Sequence, residues 1–256
     1  MSGGAVLRGR AGAWWRTHRG LLLPWIEQAL EAAPDGAVLK TDLFDEASGP
    51  HHFAGAAGAR RWLGIDLDRR VARAAGARLA AEGLPGACVV GDARRLPFAS
   101  GSLAAVLSVS TLDHFDTRAE IAEALAEIAR ALRPGGRLLL TLDNPANPEV
   151  ALRARLPGGL VARLRADTFR LGKTVGAGNG THLLGAAGLI VERRGFVVHS
   201  PRWPAIRLLD RLQAAGRHRW LAAAVRGVMW IEGLARTPLA RLSGHYTAWI
   251  ARRPLE

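Results

Sequence analysis

Short, nearly continuous apolar runs alternate with helical periodicity along the first 144 residues. The runs AVLK (37–40), RWLGIDL (61–67), ACVVGD (87–92), LAAVLSVS (103–110) and GRLLLTLD (136–143) lack the strict alternation of a half-exposed strand. Such runs suit a parallel sheet covered on both faces. The intervening segments read as helices. Across residues 117–136, Ile121, Leu125, Ile128 and Leu132 recur at i, i+4, i+7 and i+11, which makes one helical stripe. Thr117 with Glu120 forms a capping-box pattern, and Pro134-Gly135-Gly136 marks the end. Asp68 is placed to cap a second helix that Gly83 stops. Strand–helix alternation predicts βαβ units in a doubly wound, mostly parallel α/β sheet. After residue 144 the rhythm changes. NPANP reads as turn chemistry, VARLRADTF as helical, and residues 204–240 as basic amphipathic helices. A closing pair of strands is expected at 189–199 and 245–253.

Composition narrows the class. The chain has 256 residues, 49% of them hydrophobic and 22% charged, which excludes a disordered, collagen-like or disulfide-scaffold protein. The single cysteine, Cys88, lies in an apolar run, can form neither an internal disulfide nor a Cys-based zinc site, and reads as a buried, inert thiol. No apolar run approaches the roughly 20 residues that span a bilayer. The early run LLLPWI is too short for a secretory core and ends at Glu27. The expected location is the cytoplasm, with peripheral contact at a membrane as an addition.

Charge divides the chain more sharply than composition does. Residues 1–150 carry 17 Lys+Arg against 17 Asp+Glu, whereas residues 151–256 carry 18 against 5, hence the whole net +13. A basic second part prefers anionic partners. Four of the eight tryptophans, Trp203, Trp220, Trp230 and Trp249, lie there too. Tryptophan beside arginine suits a water–apolar boundary, and it equally suits a core or the lid of a pocket.

The segment GDARRLPFASGSLAAVLSVSTLDHF, followed by EIAEALAEIARALRPGGRLLLTL, resembles the class I S-adenosylmethionine-dependent methyltransferases, in the branch acting on small molecules, lipids and quinones. The likeness is good over 36–144 and loose over 181–253. It implies a seven-stranded Rossmann-like sheet with added helices. It further implies an N-terminal helical segment over 1–35, a cofactor-binding core over 36–144, and an acceptor region with closing strands of the same domain over 145–256. Asp66, ending GIDLD at strand two, matches the family's acid that holds the ribose hydroxyls; a carboxylate accepts from both hydroxyls of a diol. Asp92, opening DARRLPF, and the backbone of Ala93 match the positions near the adenine. His114 falls on the family's stretch after strand four.

One segment departs from the family. Where it carries a glycine-rich loop after strand one, this chain reads KTDLFDEASG, with Asp42, Phe44 and Glu46 at the glycine positions and Lys40 where an acid is common. Asp42 or Asp45 is then expected to grip the cofactor's amino group. His114 is the candidate general base, or else a helix-cap or pocket-wall residue. Asp143 and Asn144 end strand five, where they either orient an acceptor or serve the DNPANP turn. His182 precedes a predicted helix, GAGNG (176–180) reads as a turn, and the His51-His52 doublet reads as solvated, so no metal site is expected. The activity implied is methyl transfer from S-adenosylmethionine to a small or lipid-like acceptor. The alternative is a catalytically silent binding or membrane-surface protein of the same fold. Residues 204–240 are the candidate membrane contact, and nucleic acid ranks last because no recognition module is present.

Overall fold

Runs without a polar face need cover on both sides, and the computed structural model, which describes residues 12–48, 52–84, 86–156 and 172–256, supplies it. The strands are β1 (Ala37–Lys40), β2 (Trp62–Asp66), β3 (Gly86–Val90), β4 (Leu103–Val109), β5 (Leu132–Asp143), β6 (Ile190–Val197) and β7 (Tyr246–Arg252). They form one seven-stranded sheet of order β3-β2-β1-β4-β5-β7-β6. The first five run parallel; β7 lies antiparallel to both β5 and β6. The expected doubly wound sheet is therefore present. β5 begins at Leu132, earlier than the apolar run suggests, because Leu132 bridges Leu103 ahead of the left-handed Gly135.

Helices cover the two faces. On one face α1 (Ala13–Glu31) packs Trp14, Leu22 and Ile26 against Val38, Leu107, Leu139 and Ile250. On the other, α4 (Arg118–Ala131) and α6 (Ala177–Ala186) meet Leu39, Val106, Leu138 and Leu140. Neighbouring residues of one strand, Val38 and Leu39, thus serve opposite layers, as a pleated strand requires. The α4 stripe buries Ile121, Leu125 and Ile128, and the Thr117–Glu120 capping box is formed. Asp68 caps α3 (Arg69–Ala81) by accepting from the Arg70 N–H. Asn147 likewise caps α5 (Pro148–Arg155).

Several local expectations give way to tertiary context. β3 is an edge strand with Val90 exposed, so its apolar run does not have two covered faces. The other edge, β6, is blunted by charge, and Glu192 bridges Arg137 and Arg252 at 3.0 and 2.9 Å. GAGNG is no turn. It starts α6, because bare Gly180 admits the Trp249 ring against the helix, and His182 lies inside that helix. His52 is buried, not solvated, with its Nε2 2.7 Å from a Glu82 oxygen; His51 lies outside the described residues. So does the predicted VARLRADTF helix. Cys88 is half-buried, and burial pushes its thiol up to about 11, in keeping with an inert role.

The basic helices are α7 (Arg202–Ala214), α8 (His218–Ile231) and the short α9 (Ala240–Ser243), with a 3₁₀ turn at Glu232–Arg236. Val198, just after β6, adopts φ 62°, where a β-branched residue is strained. The backbone there is held from both sides. His245 N–H donates to the Val198 carbonyl at 2.9 Å, and both Glu232 oxygens accept from His199 N–H at 2.9 Å.

The Gly180 contact yields a sign test. Alanine in a helix interior ordinarily gains up to about 1 kcal/mol over glycine. At Gly180 the new methyl meets the Trp249 ring, so Gly180→Ala is expected to destabilise by about 1–3 kcal/mol in urea unfolding. At Gly185, where nothing lies within 4 Å, the same change is expected to be neutral or stabilising.

Candidate functional site at the carboxyl edge of the sheet

The order of strands reverses between β1 and β4, and ligands of open α/β sheets bind at the carboxyl end of such a switch point. Here that edge holds a small cavity of about 40 Å³. Its walls come from the first loop (Asp42, Phe44, Asp45), the ends of β4 and β5 (Val109, Ser110, Asp143), and His114. The remaining wall is Trp15 and His18 of α1, Arg153 of α5, Arg202 of α7 and Tyr246 of β7.

The first loop is organised around a buried cation. Lys40 is 1% exposed, and its Nζ lies 2.9 Å from a carboxylate oxygen of the fully buried Glu46. Asp45 and Asp42 stand at 3.8 and 3.9 Å, and Nζ also donates to the Asp42 carbonyl. Burial alone would lower the Lys40 pKa; Glu46, Asp45 and Asp42 outweigh it and hold the ammonium charged. Burial raises the Glu46 carboxyl, with Lys40 opposing. The Asp42 carboxylate accepts from Phe44 N–H at 2.9 Å and starts a short helix, α2 (Phe44–Ser48). Leu43 points down into the space over Gly64, where a Cβ would collide with it, and packs on Ala72 and Ala75 of α3. Glycine at this edge thus lies in β2 beneath the loop, and the loop itself carries bulk.

Asp66 sits where β2 ends, beside this loop. Its two oxygens accept from Leu43 N–H at 3.0 Å and Asp68 N–H at 2.8 Å. Burial, then the nearby Asp42, raises its pKa against these hydrogen bonds. Asp92 is engaged differently: the Arg94 guanidinium binds both its oxygens, at 2.6 Å for the shortest contact, and holds its carboxyl below the usual range. Arg94 also reaches Glu120 at 2.6 Å and lies 5.1 Å from the Phe115 ring centroid. Ala93 is buried in the core with Leu96. Of the residues singled out from the sequence, the fold brings Asp42, Asp45, Asp143 and His114 to one cavity. It leaves Asp66 behind the first loop, and Asp92 and Ala93, after β3, outside the cavity lining. Asn144 is structural: its amide donates to the carbonyls of Arg241 and Gly244.

Two features of the site escape a sequence reading. Ser110, at φ 50°, ends β4 in the left-handed region; its N–H is held by Thr141 Oγ1 at 2.9 Å, and its hydroxyl donates to Asp113 at 3.0 Å. Burial first, and then Asp143, push the Asp113 carboxyl up to about 6. The neighbouring Asp143 is treated oppositely. Burial would raise it, but His245, 3.4 Å away, with Arg202 and Arg153 holds it low. The two buried carboxyls therefore ionise over different pH ranges. His18 and His245 each meet the Tyr246 ring edge-on. Only the adjacency of Asp113 to His114, and of His245 to Tyr246, hints at this cluster in the sequence. Among the described residues no group of three or more His, Cys, Asp or Glu could hold a metal.

Comparison with known proteins places this edge in context. Residues 47–140 match the family described as "Methyltransferase domain". A protein of Encephalitozoon cuniculi (strain GB-M1) named as a methyltransferase is 34% identical over 108 residues, 40% of this chain and 47% of its own length. A mouse tRNA (carboxymethyluridine(34)-5-O)-methyltransferase is 46% identical over 52 residues, 20% of this chain and 8% of its own. The chain thus spans less than half the length of the curated relatives it matches. Among solved structures, a S-adenosylmethionine-dependent methyltransferase of Methanosarcina mazei superposes with TM-score 0.60 at 15% identity, covering 91% of this chain and 98% of that one. Geranyl diphosphate C-methyltransferase of Streptomyces coelicolor A3(2), solved with Mg2+, geranyl diphosphate and S-adenosyl-L-homocysteine, gives 0.59 at 16%, covering 91% and 79%. The [4+2]-cyclase SpnF gives 0.55 at 20%, covering 92% and 80%, so a fold of this kind also carries other chemistry.

Two expectations follow from the electrostatics. Breaking the buried pair with Lys40→Met is expected to cost about 3–5 kcal/mol in urea unfolding, and Lys40→Met/Glu46→Gln to regain more than half of it. Asp113, raised in the folded state, binds its proton more tightly there than in the unfolded chain, so its contribution to stability falls as pH rises from 3.8 to about 6. Asp113→Asn removes that fall. The variant is expected to lose less stability than the parent between pH 4 and 7, by up to about 3 kcal/mol, measured from unfolding curves across that range.

Proposed function

From a chain that has the class I S-adenosylmethionine-dependent methyltransferase fold and a matching methyltransferase domain, we propose methyl transfer from S-adenosylmethionine to a small, lipid-like acceptor. The observation that carries this reading is the gathering of carboxylates at the switch point: Asp66 at the end of β2, with Asp42 and Asp45 on the cavity wall. This donor set fits the cofactor in charge. Each Asp66 oxygen keeps a lone pair beyond the backbone bond it accepts, which is what a ribose diol needs. Asp42 and Asp45 stand opposite the place of a cationic amino group, with Lys40 offsetting only part of their charge. Asp92 is the adenine-side acceptor, in competition with Arg94. When bound, S-adenosylmethionine supplies an electrophilic methyl on a sulfonium.

The chain's own residues do the rest. Trp15, His18 and Tyr246 wall the acceptor side and exclude water. Arg153 and Arg202 fix the charge of Asp143 behind it. His114, on the cavity rim, is the group placed to take a proton from an acceptor hydroxyl. Beyond Trp15 and His18 of α1, the acceptor side is built after residue 144, from α5, α7 and β7. Geranyl diphosphate in a structural neighbour supports an acceptor with a hydrocarbon part. An apolar slot of about 490 Å³, lined by Pro148, Pro201, Ile231, Leu234, Leu239 and Leu242, shares α5 and the start of α7 with the cavity and has the size for such a part.

A second reading, a silent binding protein of the same fold, is favoured by one observation. The cavity is about 40 Å³ and Leu43 N–H already occupies Asp66, so a ligand needs the first loop to give way. Calorimetric titration with S-adenosylhomocysteine separates the two. Methyl transfer requires binding, and Asp66→Ala is expected to weaken it by about 1–3 kcal/mol, the scale of hydrogen bonds to a charged group. A wild-type chain that binds neither S-adenosylmethionine nor its demethylated product supports the silent protein.

A further inference from the structure

Helix α8 has two apolar faces, and only one of them is used. Leu221, Ala224, Val225 and Val228 turn inward against α1 and α7, where Arg16, Thr17 and Gly20 of α1 lie across from them. At 100° per residue, Trp220, Ala223, Gly227 and Trp230 fall on a second, outward stripe. Both tryptophans stand in water, 68% and 83% exposed. Ten residues of helix separate them by about 15 Å, with only small side chains between. Arg219 and Arg226 fall along one side of this stripe, and exposed Met229 lies on the same helix.

The apolar surface continues past the helix. Exposed Leu239 and Leu242 border the 490 Å³ slot, which begins at Ile231, next to Trp230. Residues 203–243 hold seven arginines against two acids. One of those acids, Glu232, is turned inward to the backbone of His199 and Ser200.

We propose that the outward face of α8, with the Leu239–Leu242 shoulder, docks on an anionic lipid bilayer. Exposed indoles settle at the headgroup boundary, and arginines beside them meet lipid phosphate. A second copy of the chain is the poorer occupant, because pairing this face would bring its arginines together with no acids opposite. Nucleic acid would match the charge but not the aliphatic shoulder. Docked this way, the protein turns the mouth of the slot toward the bilayer. The docking itself does not depend on what the sheet edge binds.

The test is co-sedimentation with vesicles of phosphatidylcholine alone and of phosphatidylcholine mixed with phosphatidylglycerol. Binding is expected to the mixed vesicles and not to the neutral ones, and to fall at high salt. Brominated lipid in the mixed vesicles should quench the tryptophan fluorescence. Trp220→Ser/Trp230→Ser should lower binding roughly tenfold or more with the thermal unfolding midpoint unchanged, since neither side chain is packed. The proposal is overturned if the double variant binds as the parent does, or if brominated lipid leaves the fluorescence unchanged. It is also overturned if Trp220 and Trp230 become shielded from iodide with rising protein concentration, or on adding an oligonucleotide, while vesicles shield neither.

Discussion

A lysine taken wholly out of water at the end of a central strand is tolerable only with a carboxylate against it, and Lys40 has Glu46 at 2.9 Å with two more acids just beyond. That requirement shapes the neighbourhood. To bring Glu46 back over β1 the chain turns at Asp42, winds the single turn of α2, and drives Leu43 into the hollow over Gly64. The Leu43 N–H then meets Asp66. Glu46 is bound on its far side by Phe53 N–H at 3.1 Å, which fixes where the segment leading to β2 begins. The acidic character of the cavity wall, the state of Asp66 and the smallness of the cavity all descend from one buried cation.

Much of the sheet was legible because its inner strands, β4 and β5 above all, are nearly continuous apolar runs, the composition that burial on both faces requires. The caps at Thr117 and Asp68 were legible for the opposite reason: a helix start has orphan N–H groups that a few polar side chains satisfy locally. What stayed hidden depends on partners distant in sequence. GAGNG looks like a turn until Trp249, across the sheet, is seen to require bare backbone at Gly180. β3 has the apolar run of an inner strand and lies at an edge, since composition does not encode strand order. At the site, Asp42, Asp45, Asp143 and His114 were visible as candidates by their positions after strands. The coupling of Asp113 to Asp143, and the contribution of Trp15 and His18 from a helix before the first strand, required the fold.

The charge asymmetry acquires a location in the structure. The neutral first part carries its ions in pairs and small networks such as Asp92–Arg94–Glu120, where each cation has an anion in contact. In the second part the arginines of α7 to α9 outnumber acids and, apart from the buried Arg202, are exposed. The eight tryptophans split in the same sense. Trp14, Trp62 and Trp249 are core; Trp220 and Trp230 are surface. The two explanations offered by the sequence thus both hold, for different residues.

Val198 stores backbone strain where the chain enters the basic helices. A β-branched residue in the left-handed region costs on the order of 1–2 kcal/mol, and here it is held by His245 just before β7 and Glu232 beyond α8. The holding groups belong to the segments on either side of the helical cluster. Lifting those segments away relaxes that backbone. The strain at Val198 thus favours release of the cluster, and the contacts of Glu232 and His245 oppose it.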